Sequence, residues 1–128
     1  MSHFSQIKTQ IRNLPLLKSA LNDLGMDWKL GPCQVRGYQG LTQTADVAIE
    51  QHNGYDIGFA WNGVSYELVT DLQFWQQNSS VDRFIKQVTQ RYAYNTILSE
   101  GEQQGFAVAE QQQRQDGTIR LVLQRWSA

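Results

Sequence analysis

The sequence predicts an α+β fold: a single, mostly antiparallel sheet with two helices packed on its apolar face, in the order β-α-β-β-β-β-α-β-β. Three observations carry this. The middle of the chain alternates apolar and polar residues with period two. Two other segments repeat apolar residues at helical spacing, each after a capping residue and before a glycine. Glycine-bearing turns separate the alternating runs, as antiparallel strands require. Residues 1–128 read as one α+β domain.

From Ser5 to Ile11, Ile7, Thr9 and Ile11 alternate with Lys8 and Gln10, the pattern of a half-buried strand. Asn13 can cap a helix that carries Leu14, Leu17, Leu21 and Leu24 on one side, with Pro15 in its first turn and Gly25 as its stop. Trp28 to Arg36 reads as a strand that Gly31-Pro32 interrupts, so it is expected at an edge or with a bulge. Gly37-Tyr-Gln-Gly40 is a loop.

The next two runs place Ala45, Val47 and Ile49 on one side, then Tyr55, Ile57, Phe59 and Trp61. A three-residue loop with Gly54 left-handed sets Ile49 opposite Ile57 and Val47 opposite Phe59. A one-residue slip would expose the whole set. Asn62-Gly63 is read as a two-residue hairpin turn, which sets Trp61 opposite Val64, Phe59 opposite Tyr66 and Ile57 opposite Leu68. After a polar loop, Ser80 caps a second helix with Val81, Phe84, Ile85, Val88 and Tyr92 at helical spacing. That helix is expected to run to about Gln104, with Gly101 weakening its last turn. Phe106 to Gln112 and Thr118 to Trp126 form a final hairpin around Asp116-Gly117, with its register open.

A chain of 128 residues with 41% hydrophobic and 18% charged residues suits a soluble globular fold. The formal net charge of −1 gives no overall attraction to nucleic acid or anionic membrane. Cys33 is the only cysteine, which excludes an internal disulfide and fits a reducing compartment; it reads as a small apolar strand residue. His3 and His52 share no ligand spacing with it. No apolar run approaches a membrane span and no signal peptide opens the chain, so a cytoplasmic location is expected. Phosphate-binding glycine signatures, zinc spacings and nucleophile motifs are absent, so an enzyme finds no support, and no cofactor is expected.

Three groups of residues stand out. Asp46, Glu50, Asp56, Glu67 and Asp71 fall on the more polar sheet face, with Glu50 opposite Asp56, where like charges are destabilising. Glu50, Asp56, Glu67 and Asp71 could hold a cation, receive a basic partner, or form a solvated face neutralised by arginines such as Arg36 or Arg120. The segment Arg36-Gly-Tyr-Gln-Gly40 invites comparison with glycine loops that clamp RNA, through Arg36 and Tyr38, though no basic cluster supports it. On the second helix, Tyr92 falls on the core side, Asn95 and Arg91 on its borders, and Tyr94 about 200° away, with Ile97 and Leu98 nearby. Arg91, Tyr94, Ile97 and Leu98 are either covered by a terminal strand or loop, or form a patch for another protein or a second copy.

With MSHFSQIKT at its start, then VRGYQG, NGYDIGFAWNG, YELVTDLQFW, TQRYAYN and the closing IRLVLQRW, the whole chain resembles the hypothetical chloroplast reading frame thirty-five proteins of cyanobacteria and algal plastids. The resemblance brings no catalytic residue, cofactor or substrate. It implies a cyanobacterial cytoplasm or plastid stroma and, by association, a photosynthesis-linked role. The combined expectation is a non-enzymatic accessory or assembly protein that acts by binding another protein, with a homo-oligomer as one form of that binding. A cation or small-ligand module on the acidic face is the alternative, and an RNA-binding module the third.

Overall fold

A computed structural model describes residues 4–125; His3 and Trp126, both named above, lie outside the described residues. The elements are β1 (Phe4–Lys8), α1 (Leu14–Asp23), β2 (Lys29–Arg36), β3 (Thr42–Ile49), β4 (Ile57–Trp61), β5 (Tyr66–Asp71), α2 (Val81–Gln103), β6 (Phe106–Gln113) and β7 (Ile119–Arg125), in the expected sequence. The fold is α+β, with every strand pair antiparallel.

The single sheet is corrected to two: a five-stranded sheet in the order β1-β5-β4-β3-β2 and a two-stranded β6-β7 hairpin. The hairpin does not extend the large sheet because it docks on α2. A Cβ on Gly101 would sit 3.3 Å from a Leu123 methyl and 3.7 Å from the Phe106 Cβ, so both strands lie against the last turns of the helix at this position. The sequence shows only the glycine's cost to the helix.

β1 and β2 are the two edges of the large sheet, so α1 carries the chain across its whole width. The Asn13 side chain accepts from the Leu16 amide at 3.0 Å and starts α1; Gly25, at φ 72°, follows its end. Leu17 and Leu21 of α1 and Phe84 and Val88 of α2 pack with Val47, Ile49, Ile57, Phe59 and Leu68 in one buried cluster. At roughly 1.5–3 kcal/mol for each such side chain, this cluster sets which face of each strand points inward.

Val47 pairs with Phe59 and Ile49 with Ile57, as the longer loop requires, and Gly54 has φ 84°. The β4–β5 register differs from expectation by two residues: Trp61 faces Tyr66, Phe59 faces Leu68 and Ile57 faces Thr70. Asn62 is not left-handed, so the two-residue turn cannot form. Instead its side-chain oxygen accepts from the Val64 and Ser65 amides, both at 2.8 Å, and its amide donates to the Ser65 carbonyl, closing a four-residue loop. A two-residue shift keeps each side chain on its face. Phe59 and Leu68 stay buried, while Trp61 and Val64 stand out at the tip, 47% and 65% exposed.

The second face of the large sheet is closed rather than solvated. β2 shifts register between Leu30 and Cys33, opposite Asp46. Ala45, expected beside Val47, packs instead with Val35 and Ala48, flanked by Phe4, Cys33 and Ala60. The edges approach one another over this face: a Cβ on Gly37, just after β2, would lie 2.6 Å from the ring of Phe4 in β1. Gly58 sits beneath, where a Cβ would meet Val35 at 2.4 Å and Ala45 at 2.9 Å. Small residues let the sheet curl.

Candidate functional site

The five carboxylates of the predicted acidic face are dispersed among local partners. Asp46 accepts from the Trp61 amide at 2.8 Å, Glu50 is ion-paired to Lys29, and Glu67 accepts from the Asn62 side chain at 2.8 Å. Asp71, almost fully buried, accepts from the Gln73 amide at the start of the 3-10 turn Leu72–Phe74. Asp56 and Glu50 lie one residue beyond β4 and β3, at the position that follows the Ile49–Ile57 pair, and Arg36 grips Asp56 while Lys29 takes Glu50. Arg36 Nε and Nη2 each donate to one of the Asp56 oxygens at 2.9 Å, and the Arg36 amide adds a third bond of 2.9 Å. Among the described residues, no three His, Cys, Asp or Glu side chains converge as a metal-ligand set. Arg120, the other arginine named for this face, reaches Glu110 in the hairpin instead.

The second predicted surface divides between two neighbours. Arg91 donates to Asp23 of α1 at 2.9 Å and lies over the Tyr94 ring at 4.4 Å. Asn95 donates to the same Asp23 carboxylate at 2.9 Å and to Ser19 at 3.3 Å. The Asn95 hydrogen bond, with help from Arg91, holds the Asp23 pKa below the usual aspartate value against the opposing effect of burial. The Tyr92 hydroxyl accepts from the Arg12 and Asn13 amides at 3.2 and 3.1 Å, next to the start of α1. Tyr94 points to the hairpin and donates to Gln111 at 2.8 Å. Leu98 is half-buried, and Ile97 is 45% exposed beside a small cleft that also includes Tyr94 and Leu121.

A third arrangement brings together loops that the sequence reading treated separately. At one end of the large sheet, Phe74 stacks on Tyr55 with centroids 4.1 Å apart and on Tyr38 with centroids 5.5 Å apart; both ring pairs lie within 17° of parallel. The rings come from three loops: after β2, before β4 and after β5. All three are half-buried, and Leu41 and Leu72 on two of the same loops are exposed.

Buried Gln51 ties these loops together. Its amide nitrogen donates to the Tyr55 carbonyl at 2.8 Å and the Phe74 carbonyl at 3.3 Å; its oxygen accepts from the Gln76 amide and the Gln77 side chain at 2.7 and 3.0 Å. Asn53 adds a 2.8 Å bond to the Phe74 carbonyl. Beneath, Arg36 and Asp56 join the loop after β2 to the loop before β4, and the Asp56 amide donates to the Arg36 carbonyl at 3.0 Å. Asp56 is 3% exposed, whereas the Arg36 side chain remains half exposed. The result is a hydrogen-bonded end that carries the half-buried aromatic stack, two exposed leucines and a half-exposed guanidinium. Sequence reasoning singled out Arg36, Tyr38 and Asp56 but missed Tyr55, Phe74 and Gln51. The available signal was that VRGYQG, NGYD and DLQFW all border glycine or turn residues at strand ends.

The burial of Cys33, followed by the charges of Asp56 and Asp46, raises its thiol pKa, so the thiolate is disfavoured. No described helix is long and apolar enough to cross a membrane.

Residues 20–122 match the family model described as protein of unknown function (DUF1257). The chain is similar to three curated proteins, each described as "Uncharacterized protein ycf35". That of Guillardia theta is 51% identical over 126 residues, 98% of both chains. That of Cyanophora paradoxa is 44% identical over 126 residues, again 98% of both. The Pyropia yezoensis protein is 42% identical over 127 residues, 99% of both. No solved structure gives a significant match.

Proposed function

Since the chain belongs to the DUF1257 family of proteins of unknown function, what it does must be read from its own surface, and we propose that it is a non-enzymatic accessory or assembly protein that binds another protein through the aromatic end of its large sheet. The carrying observation is the Tyr38–Phe74–Tyr55 stack, built from three loops and fixed by Gln51 and the Arg36–Asp56 pair. Tyrosine and arginine are the residue types that dominate binding energy at protein interfaces, and a preorganised surface loses little entropy on association. Exposed Leu41 and Leu72 add apolar area at the same end. The site of action in this reading is a cyanobacterial cytoplasm or plastid stroma.

Affinity capture from a native-host lysate tests it, with wild type, Tyr38→Ala and Tyr94→Glu as baits and thermal melts to confirm folding. A partner held by wild type and by Tyr94→Glu but lost with Tyr38→Ala is expected. Retention that ignores Tyr38→Ala, or a strictly monomeric chain with no retained protein, overturns the reading. A salt-dependent shift with single-stranded RNA that requires Tyr38 would place the surface in nucleic-acid recognition instead.

A further inference from the structure

A second cleft, of about 740 Å³, lies between the first half of α2 and the turn that joins β6 to β7. Arg83 and Lys86 line it from the helix and Arg114 from the turn. This grouping is selective. Of the eleven lysines and arginines, Lys29, Arg36, Arg91 and Arg120 are paired with carboxylates. Lys18 and Arg125 lie over aromatic rings. Five have neither kind of partner among the described residues, and three of those five line this one cleft.

Arg83 and Lys86 are three positions apart on one helical face, where like charges repel, so the arrangement favours an anion between them. Two carboxylates also border the cleft, and both have local roles. Asp116 accepts from the Thr118 amide and hydroxyl at 3.0 and 2.6 Å, and those bonds, with smaller effects from the charges of Lys86 and Arg114, lower its pKa. Asp82 stands in the first turn of α2, where a carboxylate is favoured by the free amides of the helix start. Arg91, also on the rim, is occupied by Asp23. With Arg91 paired to Asp23, the three remaining cations outnumber the two carboxylates by one, and Gln87 and Gln90 add neutral donors.

We infer that this cleft binds a small ligand carrying two or three linked phosphate groups, held by Arg83, Lys86 and Arg114. The volume falls within the range of small-molecule sites. Arginines on two facing elements can each fork the oxygens of a different phosphate group, which suits a linked phosphate chain better than a single phosphate. None of Tyr38, Tyr55 and Phe74 touches the cleft, so this site stands apart from the proposed partner surface.

Calorimetric titration of the full chain with inorganic tripolyphosphate tests it, with ATP as a second probe, at low and physiological salt. One saturable site is expected, weakened by salt, and weakened about tenfold by either Arg83→Gln or Arg114→Gln, the loss of one charge-assisted pair. Tyr38→Ala should leave it unchanged. Competition by ATP would extend the ligand class to nucleotides, and its failure would restrict the class to the phosphate chain. No saturable heat at millimolar tripolyphosphate overturns the inference. So does undiminished binding by a folded Arg83→Gln/Arg114→Gln variant, or RNA binding that tripolyphosphate cannot displace.

Discussion

Tyr92 and Tyr94 are two positions apart on α2 and serve different neighbours. The Tyr92 hydroxyl is the acceptor for two backbone amides at the start of α1. Tyr92→Phe removes that acceptor while keeping the ring, and should cost about 1–2 kcal/mol in urea denaturation. Tyr94→Phe loses one exposed bond to Gln111 and should stay within about 0.5 kcal/mol of wild type. Gln51 is the more demanding position, because all of its partners lie in two loops. Gln51→Leu should lower stability by about 2 kcal/mol or more and broaden the Tyr38, Tyr55 and Phe74 ring signals in NMR. Asp23 gives a pH signature. Its depressed pKa means that the ionised carboxylate favours the folded state above the ordinary aspartate range, and that this contribution disappears as pH falls through the lowered value. Asp23→Asn should therefore be less stable than wild type at pH 7, by roughly 0.5–1 kcal/mol for a pair this exposed. The two stability curves should converge at the acid end.

Elements were legible where a side chain's face, rather than its exact partner, decides the energy. Val47–Phe59 and Ile49–Ile57 follow from keeping four apolar side chains on one face. The β4–β5 hairpin shows the limit of that logic: a shift of two residues preserves every face, so hydrophobic patterning cannot choose between the registers. Asn62 chooses through its side-chain oxygen, a local preference that Asn-Gly also disguises as a two-residue turn. Two glycines give opposite predictions at this scale. Gly58→Ala drives a Cβ into Val35 and Ala45 on the closed face and should destabilise by about 1–3 kcal/mol. Gly101→Ala meets only the end of a flexible Leu123 side chain at 3.3 Å, while the helix gains up to about 1 kcal/mol of propensity. Its melting temperature should rise or hold, never fall as for Gly58→Ala.

At the scale of the whole molecule, the aromatic end and the second sheet were illegible for the same reason. Both depend on contacts between distant segments that no local pattern announces. Phe74 meets Tyr38 and Tyr55 only after the meander from β2 to β5 has set three loops side by side. The hairpin reads as two more strands, and nothing in its alternation says that its apolar side meets α2 rather than a sheet edge. Its energetics differ from those of the main layer. The buried cluster that joins both helices to the large sheet contains no residue of β6 or β7, and none of the described hairpin side chains is fully buried. A two-stranded ribbon alone is marginal in water, so the hairpin depends on α2 far more than the helices-on-sheet layer depends on the hairpin. Hydrogen exchange should therefore separate two levels of protection: slow amides in β3, β4 and β5, and faster ones in β6 and β7 at neutral pH. A chain ending after Gly105 should still unfold cooperatively, with helicity lost around Gly101 where Leu123 and Phe106 no longer cover α2. Uniform protection across both sheets, or loss of the cooperative transition on truncation, would show instead that the two sheets form one folding unit.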